Sequence, residues 1–465
     1  MTVIAEDATP TLRSKTVQTR IDLDQNDLPK KWFNLLPVIK VRLVPPLRPD
    51  GIPIAPDDLN ILFPKELIRQ EANMDRFIPI PDPVQQAYLR FRPSPLFRAF
   101  YLEKAIKSSA RIYFKFEGVS PTGSHKPNTA IPQAHYNSIE GVERLTTETG
   151  AGQWGSALAY GAKAFGLDLK VFMVRISYLQ KPYRSTLMRL FGAECVPSPS
   201  PDTEFGRKLL ATDPEHPGSL GIAISEALEE TVKSEGTTKY SLGSVLNHVL
   251  LHQSIIGLEA QKQLSLIEEE PDIVIGCVGG GSNFAGLAYP FVAQKIENHE
   301  PIKILAVEPN AAPKMTRGKF AYDFGDTAQM TPLLKMFTLG SSFIPPQIHA
   351  GGLRYHGAAP SLSILLNDGI VSPRAYSQRD IFESAVLFAS VEGIVPAPES
   401  AHAVHCAIEE ARRDDAADKV ILFNLSGHGL LDLLGYRDYL AGTLPTDAFS
   451  DEVIEKSLSN VPSVT

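Results

Sequence analysis

From residue 111 onward, short apolar and β-branched runs alternate with longer stretches whose apolar residues recur at helical spacing. The strand-like runs are 112–116, 170–174, 194–196, 272–275, 303–307 and 420–423; helical stretches include 156–165, 250–267 and 400–413. This alternation predicts an α/β fold with mostly parallel sheets covered on both faces. In such sheets ligands sit beyond the carboxyl ends of the strands. The first hundred residues break the rhythm. Pro37, Pro45, Pro46, Pro53, Pro64, Pro79, Pro81 and Pro83 crowd them and predict an extended, irregular layer wrapped on the body.

The chain has 465 residues, 43% of them hydrophobic, which predicts more than one domain. A net charge of −8 argues against nucleic acid or an anionic membrane as the main partner. Cys195, Cys277 and Cys406 are far apart and form no CxxC pair, which fits a reducing compartment. No apolar run approaches the roughly 18–20 residues that span a bilayer. Residues 1–25 mix acidic and basic side chains and lack the apolar core of a secretory signal. The expectation is a soluble cytoplasmic enzyme.

Candidate chemistry lies at strand ends. The apolar run 272–275 leads through Gly276, Cys277 and Val278 into Gly279-Gly280-Gly281-Ser282-Asn283. Glycines let the backbone approach a ligand, and the following apolar stretch reads as a helix whose first N–H groups face it. This predicts a phosphate site. Lys126, in Gly123-Ser124-His125-Lys126-Pro127-Asn128, stands where Pro127 opens a helix; a Schiff-base lysine needs such partial desolvation. Ser426, in Asn424-Leu425-Ser426-Gly427-His428-Gly429, follows another strand. A hydroxyl there could meet a pyridine nitrogen without forcing its protonation. Phosphate loop, lysine and serine together suit pyridoxal phosphate. The segment Glu148-Thr149-Gly150-Ala151-Gly152-Gln153-Trp154-Gly155 offers backbone N–H groups for a substrate carboxylate, with Glu148 as a proton carrier. In Glu392-Gly393-Ile394-Val395-Pro396-Ala397-Pro398-Glu399-Ser400, Glu392 is expected near the cofactor ring and Glu399 at a helix cap. His248 and His252 have i,i+4 spacing without HEXXH or a third ligand, so they read as structural, and no protein-built metal site is expected. Neither a Walker A motif nor GxGxxG occurs.

These segments, in this order over roughly residues 90–435, resemble the tryptophan synthase β family of fold-type-II pyridoxal phosphate enzymes. Arg92-Pro93-Ser94-Pro95-Leu96, Trp154 and Gly352-Leu353-Arg354-Tyr355-His356-Gly357 resemble its second, β-like class. The resemblance implies two parallel-sheet α/β domains and a proline-rich extension. The expected divisions are 1–91 for the extension, 125–250 for the N-terminal domain with a mobile, substrate-closing part near 141–236, 92–124 with 251–440 for the cofactor-binding domain, and 441–465 for a tail. It implies that L-serine and indole yield L-tryptophan. Lys126 would hold the cofactor and move the α-proton; His125, Asn128, Gly279, Gly280, Gly281, Ser282, Asn283, Glu392 and Ser426 would bind the cofactor. Thr149, Gly150, Ala151, Gly152, Gln153, Trp154 and Arg354 would bind substrate, and Glu148 would polarise the indole N–H. Arg354 stands where the common class has aspartate, and its guanidinium would suit O-phosphoserine as donor. The resemblance further implies a homodimer and a monovalent cation held by backbone carbonyls, and leaves docking of an α subunit open. A serine or threonine dehydratase or threonine synthase would use the same cofactor and fold; a non-catalytic, cofactor-bound partner subunit is the remaining alternative.

Overall fold

The computed structural model describes residues 18–40 and 43–464, so the segment 1–17 of the expected extension lies outside the described residues. Two sheets organise the chain. The larger has seven strands in the order Arg20–Ile21, Leu96–Arg98, Arg111–Phe116, Val420–Leu425, Ile273–Cys277, Lys303–Pro309 and Ser372–Tyr376. The last five are mutually parallel; the first two join antiparallel at one edge. The smaller sheet is parallel throughout, in the order Glu194–Ser198, Asp168–Val174, Arg144–Thr149 and Thr238–Tyr240.

Side chains alternate across a strand, so an apolar run feeds two cores. Val274, Ile304, Val420 and Leu422 face the helices Ile255–Leu266 and Ser282–Glu297. Ile273, Ile275, Leu305, Ile421 and Phe423 face Gln378–Glu392 and Pro398–Ala411. That double burial is why these strands read as continuous apolar runs. The smaller sheet lies between Leu220–Lys233 and the pair Gln153–Ala164 and Pro182–Leu190.

The proline-rich N-terminal part is more regular than expected. It contains the helices Lys65–Glu71 and Asp82–Tyr88 and a two-stranded ribbon of Lys31–Phe33 with Phe77–Pro79. Pro64 and Pro81 stand at the caps of these helices, where a missing N–H costs little. Trp32 is fully buried, and the Phe33 amide donates to Ser254 Oγ. The helical stretch 250–267 is two helices, Asn247–Gln253 and Ile255–Leu266, joined at Ser254. Strand Arg144–Thr149 has one aliphatic side chain, Leu145, and hydropathy does not reveal it. Its buried hydroxyls are satisfied instead: Thr146 pairs with Thr231, and Thr147 donates to the Ser241 carbonyl at 2.5 Å. Ser372–Tyr376 carries Pro373 and lies at the sheet edge, where proline is tolerated. The hairpin of Lys319–Phe324 with Leu333–Thr338 was likewise not foreseen. No helix among the described residues is long and apolar enough to cross a membrane.

Candidate active site

A cavity of about 190 Å³ opens where the carboxyl ends of the two sheets meet. Strand Ile273–Cys277 delivers the glycine turn into it, and the sixteen-residue helix Ser282–Glu297 leads away. The first N–H groups of a helix lack intrahelical partners and favour an anion. Gly281 caps this helix at φ +117°, a conformation that side-chain-bearing residues rarely adopt. A Cβ on Gly279 would stand 2.3 Å from the Gly352 carbonyl oxygen, and one on Gly280 would stand 2.6 Å from Ser244 Oγ. Ser244 Oγ also accepts from the Ser282 amide at 3.2 Å. Asn283 braces the turn by donating to the Cys277 carbonyl at 2.9 Å.

Lys126 precedes the helix Pro127–Ile139. Its Nζ donates to the Gly243 carbonyl at 2.6 Å and to Ser282 Oγ at 3.3 Å, which sets the amine directly over the glycine turn. Burial lowers its pKa to about 8, against the raising effect of nearby Glu148. His125 is buried beside it, with Nε2 3.4 Å from Ser282 Oγ and Nδ1 3.3 Å from the Ser426 carbonyl oxygen. Burial depresses its pKa to about 3, so the ring is neutral. Ser426 follows strand Val420–Leu425; its hydroxyl pairs with Ser400 Oγ at 2.8 Å.

Glu148 stands near the end of strand Arg144–Thr149, and the Tyr240 hydroxyl donates to its Oε2. Burial pushes the Glu148 carboxyl up to about 7, with the Tyr240 bond opposing. Gly152, at φ +95°, caps the helix Gln153–Ala164 and leaves its first turn facing the cavity. Thr149 Oγ1 accepts from the Gly155 amide at 3.2 Å. Trp154 lines the cavity, but its indole N–H is engaged by Thr147 Oγ1 at 2.7 Å and its ring underlies Gly243. Beyond Glu148 the cavity continues as an apolar arm past Leu62, Phe63, Ile224, Leu228, Val245 and Leu334.

Three sequence-predicted residues stand elsewhere. Asn128 does not line the cavity: Glu117, Gln253 and Arg92 take up its side-chain amide in a buried network. Glu392 ends the helix Gln378–Glu392 and accepts from the Leu102 amide at 2.7 Å, capping a surface helix. Glu399, expected only as a helix cap, stands where Glu392 was expected: it lines the cavity, accepts from the Gly352 amide at 2.9 Å, and leaves Oε2 buried without a partner. Arg354 is also turned away, donating to the Pro345 carbonyl at 3.0 Å, while Leu353 and Tyr355 on either side reach the cavity. Burial lowers its pKa to about 10. His248 and His252 act inside the fold: His248 meets Glu71, and His252 meets Thr129 and Gln70. Tyr240 and Ser244 were missed; the Gly243-Ser244 pair soon after a short strand is a sequence signal for Ser244 alone.

Residues 88–427 match the family described as "Pyridoxal-phosphate dependent enzyme". The chain is 61% identical to tryptophan synthase beta chain 2 of Aeropyrum pernix, covering 91% of this chain and 96% of that one. It is 58% identical to tryptophan synthase beta chain 2 of Thermotoga maritima, covering 90% and 99%. In fold it is similar to threonine deaminase isoform 2 from Solanum lycopersicum, with TM-score 0.56, 18% identity, and coverage of 75% of this chain and 87% of that one. It is also similar in fold to an L-serine ammonia-lyase from Rhizomucor miehei, with TM-score 0.55, 16% identity, and coverage of 76% and 98%.

Proposed function

Because the chain belongs to the pyridoxal-phosphate dependent enzyme family, among the tryptophan synthase β chains, we infer that it forms L-tryptophan from L-serine and indole by β-replacement. The observation that carries this reading is the convergence of Lys126, the 279–283 turn and Glu148 on one cavity. A turn that admits no Cβ, a helix N-terminus and the unpartnered Glu399 oxygen fit pyridoxal phosphate. When bound, that group supplies an electron sink for the amino acid's α-carbon.

In this reading, Gly279, Gly280, Gly281, Ser282 and Asn283 hold the phosphate, with Ser244 and His125 bracing the turn. Ser426, oriented by Ser400, presents its hydroxyl to the pyridine nitrogen. Amides of 149–153 bind the serine carboxylate. Lys126, its pKa lowered to about 8 by burial, takes the proton from the serine α-carbon and later returns it. Glu148 would accept a hydrogen bond from the indole N–H and so direct the ring carbon at the serine β-carbon, from which the hydroxyl leaves as water while the ring carbon gives up its proton. The apolar arm takes the indole ring and excludes water, which would otherwise divert serine to pyruvate and ammonia. Arg354, held by Pro345, does not favour O-phosphoserine over serine in this reading; comparing the two donors tests that.

Of the expected extension 1–91, we read the described part from residue 18 as packed on the body; we read 125–250 as the N-terminal α/β domain with a mobile, substrate-closing part near 141–236, 92–124 with 251–440 as the cofactor domain, and 441–465 as a tail. We also read the protein as cytoplasmic and as a homodimer; light scattering of the purified protein tests the oligomeric state. An assay of tryptophan from serine and indole, with pyruvate measured in parallel and an α subunit present or absent, tests the function. Tryptophan should form, and Lys126→Ala should abolish it together with borohydride-trappable cofactor. Pyruvate as sole product would overturn the reading.

A further inference from the structure

Apart from the catalytic groups, one buried charge cluster spans the two bodies of the molecule. Lys181 caps the helix Pro182–Leu190, which covers the smaller sheet; Arg184 lies in its first turn. Both reach Asp432, which precedes the helix Leu433–Leu440 beside the larger sheet. Lys181 Nζ is 2.6 Å from Asp432 Oδ1 and Arg184 Nη2 is 3.2 Å from Oδ2, with all three side chains at most 3% exposed. Burying ions costs several kcal/mol each unless they are well paired, so the cluster ties down whatever carries it. Lys181 also donates to the His349 carbonyl at 3.0 Å, and Arg184 to the Thr122 carbonyl at 3.5 Å.

These contacts converge on the segment 149–153. Arg184 Cβ stands 2.7 Å from where a Cβ on Gly152 would lie. Gly351, close after His349, presents its carbonyl oxygen 2.9 Å from the Cβ position of Gly150. The segment is thereby clamped between the helix that carries Arg184 and the strap that Lys181 holds.

We propose that Lys181, Arg184 and Asp432 are positioning residues that fix the 149–153 amides for the carboxylate of the donor amino acid. The proposal rests on the reading of 149–153 given under Proposed function. None of the three touches the phosphate turn, so cofactor binding and donor binding separate in their variants.

The test uses the holoenzyme with pyridoxal phosphate bound. Lys181→Met leaves the Arg184–Asp432 pair intact; Asp432→Asn removes the shared acid. In both, the cofactor absorbance should stay as in the parent. KM for serine should rise about fivefold or more, and KM for indole should change by less than about twofold. Hydrogen exchange should quicken in 149–153 and 175–190 but not in 273–297. Unchanged serine KM with unchanged exchange at 149–153 in Lys181→Met would overturn the proposal. Cofactor loss with faster exchange at 273–297 in that variant would also overturn it, because the cluster would then support the whole fold. If the parent makes no tryptophan, the functional reading fails, while the exchange pattern still decides whether the clamp exists.

Discussion

Glu148 holds its carboxyl at about 7 because burial penalises the charge more than the Tyr240 hydroxyl stabilises it. In its proposed role towards the indole N–H, the ionised carboxylate is the stronger acceptor. The value of kcat/KM for indole should therefore rise with pH through about 7, and Glu148→Gln should lose that rising limb. Tyr240→Phe removes a bond that favours the ionised form, so the limb should move to higher pH. A pH profile of steady-state tryptophan formation measures both; an unmoved limb in Tyr240→Phe would contradict the pairing. Glu148 and Lys126 could be read from the chain because each sits beside residues with an evident local role, a glycine-rich cap and a Pro127 helix start. Tyr240 could not, because a tyrosine in a three-residue strand announces only burial. Glu392 and Glu399 lie on one short segment, and only their places at a helix end and a helix start separate surface cap from cavity wall.

The glycine turn joins two neighbouring elements and is held by a residue distant in the chain. Strand Ile273–Cys277 and helix Ser282–Glu297 form its arms, while Ser244, from the other side, accepts the Ser282 amide. Gly280→Ala would bring a Cβ to 2.6 Å from Ser244 Oγ and 2.7 Å from Val245 Cγ2. Both neighbours must shift, and Ser244 then loosens its hold on the helix start. Affinity for pyridoxal phosphate should fall by at least about tenfold, or about 1.4 kcal/mol. Equilibrium titration of the apoprotein measures this; unchanged affinity would show that the turn has slack. Here the sequence signal was strong, since a strand, three glycines and an apolar helix leave few alternatives.

Across the whole molecule, a buried charge network just past the proline-rich N-terminal part ties together segments distant in the chain. Arg92 pairs with Glu117 and Glu259, each at 2.8 Å, and donates to Asn128 Oδ1 at 2.8 Å; Lys115 meets Glu259 at 2.8 Å. Burial alone would push the Glu117 carboxyl up, but Arg92 overrides it and holds it at about 2. Its folded pKa is below the unfolded value of 4.5, so its stabilisation is complete above that value and is lost as pH falls towards 2. Arg92→Met should cost about 3–5 kcal/mol by leaving the buried Glu117 carboxylate without its cation. A urea series at neutral pH reads the loss as a lower midpoint, and the gap between variant and parent should narrow as pH falls below 4.5. The amino-acid sequence by itself determined the α/β class, the helix-start place of Lys126, the strand-end places of Ser426 and the glycine turn, and hence the cofactor, because periodicity and backbone permissiveness are local properties. Tertiary structure alone decided that Arg92 and Asn128 belong to a buried network, that Glu399 and not Glu392 faces the cavity, and that Arg354 turns away from it. Those outcomes depend on which groups from distant segments compete for the same partners, and neighbours along the chain carry no record of that competition.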